Sequence, residues 1–213
     1  MDGNKILLID MYGVIIKESK GYFIPYTREH FGEEDHERLK KAFFQEKLFT
    51  RAGNGEITSY EFLSRLGYAD PEETMRDYLE NYLTLDEQFH VFAQKYVDKV
   101  DMVLLSNDVL EWSEYLTEYH EMNQYFRDKI VSGQVHMRKP EERIYAYTLE
   151  RLGRDAGDCI FVDNSSKNLV VAEKFGIHSV LFNRDGEEYD GVVVNSFEEL
   201  RKYLEERVIR NIV

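Results

Sequence analysis

The chain has 213 residues, which suffices for one α/β domain with an insertion but is short for two independent domains. Its formal net charge of −14 argues against nucleic-acid binding because phosphate backbones would be repelled, and its single cysteine, Cys159, excludes an internal disulfide. No apolar run approaches the length of a membrane span, and Asn4 leads directly into a strand pattern. We therefore expect a cytoplasmic protein with neither membrane nor nucleic-acid partners.

Short apolar runs typical of buried strands alternate with amphipathic helical patterns along the chain. The strand-like runs are residues 6–9, 102–105, 129–131, 159–162, 179–182 and 192–194. The helical patterns between and after them are residues 86–99, 109–119, 140–152, 166–175 and 196–207, with Pro140 suited to a first helical turn. This alternation predicts an α/β fold with a parallel sheet and helices on both faces.

The first crossover is far longer than the others. About ninety residues separate the first two strand-like runs, where a simple crossover needs only about a dozen. The interval has helical patterns at residues 34–50, at a capping box formed by Thr58 and Glu61, and after Asp70. We predict a small helical cap, residues 18–83, inserted in a core of residues 1–17 and 84–213. Ligands bind at the carboxyl ends of strands in such sheets, so the cap would cover the site.

Polar side chains directly follow the apolar runs or precede a predicted helix, and these are the candidate site residues: Asp10 and Tyr12, Ser106 and Asn107, Lys139, and Asp163 and Asn164. The carboxyl ends of parallel strands meet at one edge of the sheet, so these residues are expected to converge there. Each also has an ordinary interpretation. Asp10, Ser106 and Asp163 could occupy turns or helix caps, and Lys139 could be a solvated surface residue.

Four segments resemble, in order, the four motifs of the haloacid dehalogenase superfamily. They are IDMYGV at residues 9–14, LLSN at 104–107, MRKP at 137–140 and FVDN at 161–164. Residues 55–58, 137–145 and 163–168 are most similar to the branch that contains small sugar-phosphate phosphatases and the N-terminal phosphatase domain of soluble epoxide hydrolases. The resemblance implies a Rossmann-like core, a helical cap, Mg²⁺, and hydrolysis of a small phosphorylated substrate through an aspartyl intermediate.

The resemblance also implies a role for each candidate. Asp10 would be the carboxylate nucleophile, and Lys139 would neutralise it and the phosphate. The oxygen donors to Mg²⁺ would be Asp10, the backbone carbonyl of Tyr12, Asp163 and Asn164. Ser106 and Asn107 would bind the phosphoryl oxygens.

Two positions depart from the phosphatase pattern. Tyr12 stands where these phosphatases carry an acid/base aspartate, whose loss typically costs about 10²–10⁴-fold in rate. Asn164 replaces a second aspartate and should weaken Mg²⁺ binding.

The Asp-x-Tyr-Gly arrangement also resembles 2-haloacid dehalogenases, in which halide leaves without a proton and no Mg²⁺ is needed. Against this, Asn168 stands where those enzymes carry an aspartate, and Asp163 where they carry a small neutral residue.

A third hypothesis is a catalytically weak member that binds a phosphorylated ligand or a protein partner, since both the acid/base and a metal-ligand position are changed. Nothing in the sequence predicts the substrate itself or the oligomeric state.

Overall fold

The computed structural model describes residues 5–19 and 22–206. They form one six-stranded sheet in the order β3-β2-β1-β4-β5-β6, and every neighbouring pair is parallel. The strands are β1 Lys5–Ile9, β2 Val100–Ser106, β3 Phe126–Val131, β4 Cys159–Asp163, β5 His178–Phe182 and β6 Val192–Val194. The predicted α/β fold with a parallel sheet is confirmed, and each predicted strand is present with bounds extended by at most a few residues.

Helices cover the sheet and fill the long first crossover. In chain order they are α1 Phe23–His30, α2 His36–Lys40, α3 Leu48–Gly53, α4 Ser59–Leu66, α5 Pro71–Asp77, α6 Gln88–Tyr96, α7 Leu110–Tyr119, α8 Ser132–Val135, α9 Glu142–Leu152, α10 Ser166–Lys174 and α11 Phe197–Leu204. Single π-helical segments, Lys41–Gln45 and Tyr78–Tyr82, follow α2 and α5. The predicted helix end at residue 207 lies outside the described residues. Over the described ranges, no helix combines the length and apolarity needed to cross a bilayer.

Alternate residues of each strand face opposite sides of the sheet, which therefore packs on two sets of buried side chains. Leu7 and Ile9 of β1 belong to the larger cluster, which extends into the helical insertion. Ile6 and Leu8 belong to the other cluster, together with Ile144 of α9. Burial on both faces explains why β1 is a continuous aliphatic run rather than an alternating pattern.

The segments that enter and leave the insertion run side by side. The Lys17 N–H donates to the Thr84 carbonyl at 2.8 Å, and the Asp86 N–H donates to the Ile15 carbonyl at 2.9 Å. Helices α1 to α5 lie between these two segments in the chain. We take this paired neck as the boundary between the core and the cap of residues 18–83, and this division remains our interpretation.

In the insertion, the local sequence determines where two helices begin. The Thr58 side chain accepts a hydrogen bond from the Glu61 N–H at 3.1 Å and begins α4, as the capping box predicts. Asp70 caps α5 in the same way through the Glu73 N–H at 3.0 Å, with Pro71 at the first helical position. Short-range capping chemistry therefore sets both boundaries.

Two helix predictions were wrong. Residues 34–50 are not one helix, because Lys47 adopts a left-handed conformation, φ 52°, that ends one helical segment and begins α3. Pro140 does not begin a helix either. It follows a cis peptide bond, and α9 begins at Glu142. Helix α1 has no counterpart among the predicted helices.

Candidate active site

The predicted site residues come together at the carboxyl ends of the strands. Asp10 follows β1, Ser106 ends β2, Asp163 ends β4, and Lys139 lies between α8 and α9. A cavity of about 470 Å³ separates these strand ends from the insertion. The residues that line it on the core side include Asp10, Tyr12, Asn107, Asp108, Lys139, Asn164 and Asn168. Ser106 and Asp163 are fully buried and do not line the cavity.

Lys139 is the centre of the arrangement. Its Nζ lies 2.9 Å from Asp10 Oδ1 and 2.6 Å from Asp163 Oδ2, and it also donates to the Leu105 carbonyl at 2.7 Å. The side chain is 1% exposed. Burial by itself would lower the pKa of Lys139, but the two carboxylates outweigh it and raise that pKa above its usual value. Lys139 is therefore an ammonium ion held between two carboxylates.

Asp10 is nearly buried. Its Oδ1 accepts the Met11 N–H at 2.8 Å in addition to the Lys139 ammonium. Burial raises the pKa of Asp10 to about 7, Lys139 opposes that rise, and the nearby Asp163 carboxylate adds to it. A further cation at this site would lower the pKa and favour the carboxylate.

Asp163 is saturated by protein donors. Its Oδ1 accepts the Ser165 N–H at 2.8 Å, its Oδ2 accepts Lys139, and Asn168 Nδ2 lies 3.0 Å from both oxygens. These bonds fix the carboxylate and, through it, the position of Lys139. Asp163 thus has little capacity left to coordinate a metal ion.

Asn164 is oriented by a residue on another loop. Its Nδ2 donates to Asp185 Oδ2 at 2.8 Å, which leaves the amide oxygen available as an acceptor or ligand. Gly13 makes this placement possible, since a Cβ there would lie 2.1 Å from Asn164 Nδ2 and the backbone has a φ of 77°.

Asn107 and Ser106 differ in how their side chains are used. The Asn107 amide exchanges two hydrogen bonds with the Lys139 backbone, donating to its carbonyl at 2.7 Å and accepting its N–H at 2.8 Å. These bonds hold the extended segment ahead of Pro140. The buried Ser106 hydroxyl has no partner among the described residues. A ligand oxygen would satisfy it.

The position of the usual acid/base aspartate is filled by a tyrosine paired with a carboxylate. The Tyr12 hydroxyl oxygen lies 3.2 Å from both carboxylate oxygens of Asp108. Asp108 also accepts the Val109 N–H at 2.8 Å and the Ser113 hydroxyl at 2.6 Å. Burial raises the pKa of Asp108 to about 7, and burial with the nearby Asp108 raises that of Tyr12 well above its usual value.

The available ligand atoms are oxygens, as a hard cation requires, but too few of them are charged to bind it tightly. Asp10, the Tyr12 backbone carbonyl and the Asn164 amide supply the oxygen ligands that Mg²⁺ prefers. Asp163 is already saturated, whereas both donors to Asp10 bind its Oδ1 and leave Oδ2 for a cation. Within the described residues, no cluster of three or more His, Cys, Asp or Glu side chains is arranged to hold a metal. These residues fit a weak Mg²⁺ site.

Asp108 and Asp185 were not among the predicted site residues. Asp108 directly follows Ser106 and Asn107, so the rule that selected those two residues would also have selected it. Asp185 lies in the loop after β5, another strand whose carboxyl end faces this edge. The same rule would have found Asp108, whereas after β5 it selects Asn183 before Asp185.

A parallel sheet with carboxylates and a buried lysine at its strand ends, under a helical insertion, defines a Rossmann-like hydrolase architecture. The family model of haloacid dehalogenase-like hydrolases matches residues 4–176. The chain belongs to this family, and the predicted superfamily and hydrolase class are confirmed.

Two curated relatives have different activities. Drimenol cyclase from Aspergillus calidoustus is 22% identical over 201 residues, covering 86% of this chain and 35% of the relative. The (S)-2-haloacid dehalogenase 4A from Burkholderia cepacia is 28% identical over 115 residues, covering 51% of this chain and 50% of the relative. The chain thus spans half or less of the length of either relative.

Solved structures share the fold along nearly their whole length. A family enzyme from Bacteroides thetaiotaomicron, in complex with magnesium and inorganic phosphate, has a TM-score of 0.71 at 23% identity, covering 88% of this chain and 98% of that one. A phosphatase of the family from Thermococcus onnurineus has a TM-score of 0.73 at 21% identity, covering 94% and 97%. At these identities the likeness is one of fold.

Proposed function

We propose that this chain hydrolyses phosphate monoesters of small molecules, with Asp10 as the nucleophile. The observation that carries the proposal is the buried Lys139 ammonium between Asp10 and Asp163. A carboxylate that attacks a phosphate must overcome charge repulsion, and a fixed ammonium next to the attacking oxygen offsets it.

The reaction proceeds in two displacements. Asp10 Oδ2 forms a bond to phosphorus, the bond between phosphorus and the leaving oxygen breaks, and the leaving alkoxide takes up a proton from solvent water. Water then attacks the phosphorus of the aspartyl phosphate, which releases inorganic phosphate and restores the Asp10 carboxylate. Lys139 keeps its ion pair with the Asp163 carboxylate in both displacements, because Asp163 does not react.

Charge balance supports a role for Mg²⁺. Asp10, Asp163 and Lys139 together carry a net negative charge, and a bound phosphate dianion would add to it. Mg²⁺ would be held by Asp10, the Tyr12 carbonyl and Asn164, and it would supply charge neutralisation when bound. The family enzyme solved with magnesium and phosphate supports this assignment. Calorimetric titration of the protein with Mg²⁺ tests it independently of turnover.

A second candidate is hydrolysis of a carbon–halogen bond. It is favoured by the engaged Tyr12 hydroxyl, since halide needs no proton, and by the 28% identity to a haloacid dehalogenase. The placement of Asn168 speaks against it. Both hydrogen bonds of its amide go to Asp163, so the side chain is committed to that carboxylate rather than to a water at Asp10.

The test is a screen of phosphate monoesters and 2-haloacids with and without Mg²⁺, with Asp10→Asn as the matched control. We expect Mg²⁺-dependent phosphate release that the substitution abolishes, while circular dichroism shows both proteins folded. Metal-independent halide release would favour the dehalogenase instead. Binding of phosphorylated ligands without turnover would favour the catalytically weak alternative.

A further inference from the structure

The cavity is much larger than a phosphoryl group needs. Its volume of about 470 Å³ falls within the range of about 300–1,000 Å³ usual for small-molecule sites. The residues that would hold phosphate occupy only its core side. Most of the space is therefore available to the leaving group of the ester.

The opposite wall of this space is aromatic. The side chains of Phe23, Phe49, Tyr78 and Trp112 line it. Their rings form one contiguous cluster, with centroids 4.9 Å apart for Phe23 and Tyr78, 5.2 Å for Tyr78 and Trp112, and 5.8 Å for Phe49 and Trp112. We call these four residues the aromatic wall. Phe23, Tyr78 and Trp112 are at most 3% exposed, so the wall is fixed by packing.

Two polar groups on and beside the wall are already engaged within the protein. The Trp112 indole N–H donates to the Ser59 hydroxyl at 2.6 Å. The Tyr12 hydroxyl, at the edge of the same cavity, is bound to Asp108. A leaving group with many hydroxyls would find neither of these two groups free to bind it, whereas an apolar group would gain contact with the rings.

We propose that the substrate is a phosphate monoester whose leaving group is apolar, such as a hydrocarbon ring, held against the aromatic wall. This inference rests on the proposed phosphatase function and names its substrate class. Arg138 and Lys167, at the same cavity, add positive charge that favours an anionic ester. The sugar phosphates suggested by the motif resemblance would be poor substrates.

The test compares two esters of equal ring size and the same primary phosphate linkage, cyclohexylmethyl phosphate and glucose 6-phosphate. We expect kcat/KM to favour cyclohexylmethyl phosphate by at least about tenfold, mainly through KM, since apolar contacts of one methylene or more discriminate by that much. Acetyl phosphate serves as a small substrate that does not reach the wall. Its turnover reports on the catalytic groups alone.

Phe49→Ala, with Phe49→Leu as a milder variant, should lower the ratio of the two kcat/KM values toward unity. Phe44→Ala is the matched control, because Phe44 is an aromatic residue of the insertion that is 64% exposed and outside this cavity. Turnover of acetyl phosphate with equal or better use of glucose 6-phosphate would overturn this inference alone. No turnover of either ester or of acetyl phosphate would overturn the proposed function and this inference with it.

Discussion

The Tyr12 hydroxyl donates to the Asp108 carboxylate, its oxygen 3.2 Å from both Oδ atoms, and this pair fills the place of a general acid. The proton that could protonate a leaving alcohol is directed toward Asp108 instead. The raised pKa of Tyr12 makes the hydroxyl a weaker acid still. We infer that the wild-type reaction depends strongly on how well the leaving group departs without help.

Tyr12→Asp should restore a positioned acid. We expect kcat/KM for simple alkyl phosphates to rise by about 10²-fold, the usual contribution of such a group. The value for 4-nitrophenyl phosphate should change much less, because nitrophenolate departs without a proton. Tyr12→Phe is the control, as it removes the hydroxyl without adding a carboxyl. An equal change for both esters would contradict this interpretation.

Asp108→Asn should alter how stability depends on pH. Burial raises the pKa of folded Asp108 from 3.8 to about 7, so the folded protein holds a proton that the unfolded chain releases at lower pH. The stabilising contribution is present below pH 4 and is lost as the pH rises toward 7. The variant lacks this loss, so its free energy of unfolding relative to wild type should increase by up to a few kcal/mol between pH 4 and 8.

Urea unfolding of both proteins at pH 4, 6 and 8 measures this difference. A free-energy gap that stays constant with pH would show that Asp108 titrates alike in the folded and unfolded chains.

Lys139→Met should destabilise the fold as well as abolish activity. The substitution leaves Asp10 and Asp163 facing each other in a buried site without their shared ammonium. Removing one partner from a buried ion pair typically costs about 3–5 kcal/mol. Lys5→Met is the matched control, since its ion pair with Asp158 is well exposed and should contribute much less. Equal losses in denaturant unfolding would argue against a structural role for the Lys139 bridge.

The sequence was informative wherever one residue's local neighbours decide its role. Asp10, Ser106 and Asp163 follow buried aliphatic runs, so the parallel sheet brings them to one edge, and Thr58 begins a helix through its own hydroxyl. Pro140 was misread because its segment is held by the Asn107 amide, which is distant in the chain. The left-handed Lys47 has no residue-type signal at all, since lysine does not favour that conformation.

The aromatic wall could not be predicted from the sequence for a different reason. Phe23 lies in α1 of the insertion and Trp112 in α7 of the core, yet their ring centroids lie 5.2 Å apart. Each looks like an ordinary packing residue in the sequence. Only the fold of the insertion over the strand ends turns the cluster into a cavity wall, so the shape of the substrate pocket could not be predicted from residue patterns.

Asn164 and Asp185 form a pair of one amide and one carboxylate, and two substitutions can exchange these groups between the two positions. The Asn164 amide nitrogen donates to the Asp185 carboxylate at 2.8 Å, so the carboxylate that the metal position lacks lies next to it, on the loop after β5. A single Asn164→Asp change would place two carboxylates against each other. The double substitution Asn164→Asp with Asp185→Asn retains one amide and one carboxylate, and it moves the negative charge to the metal position.

We expect this double variant to bind Mg²⁺ about tenfold more tightly than wild type, because affinity for hard cations rises with the number of carboxylate ligands. Isothermal titration calorimetry with Mg²⁺ measures the change without relying on turnover. Asp185→Asn alone is the control. It removes nearby negative charge without adding a ligand, so it should bind Mg²⁺ no better than wild type. If the double variant also binds no better, Asn164 does not occupy a metal-ligand position, and the proposed cation site would have to be sought elsewhere around Asp10.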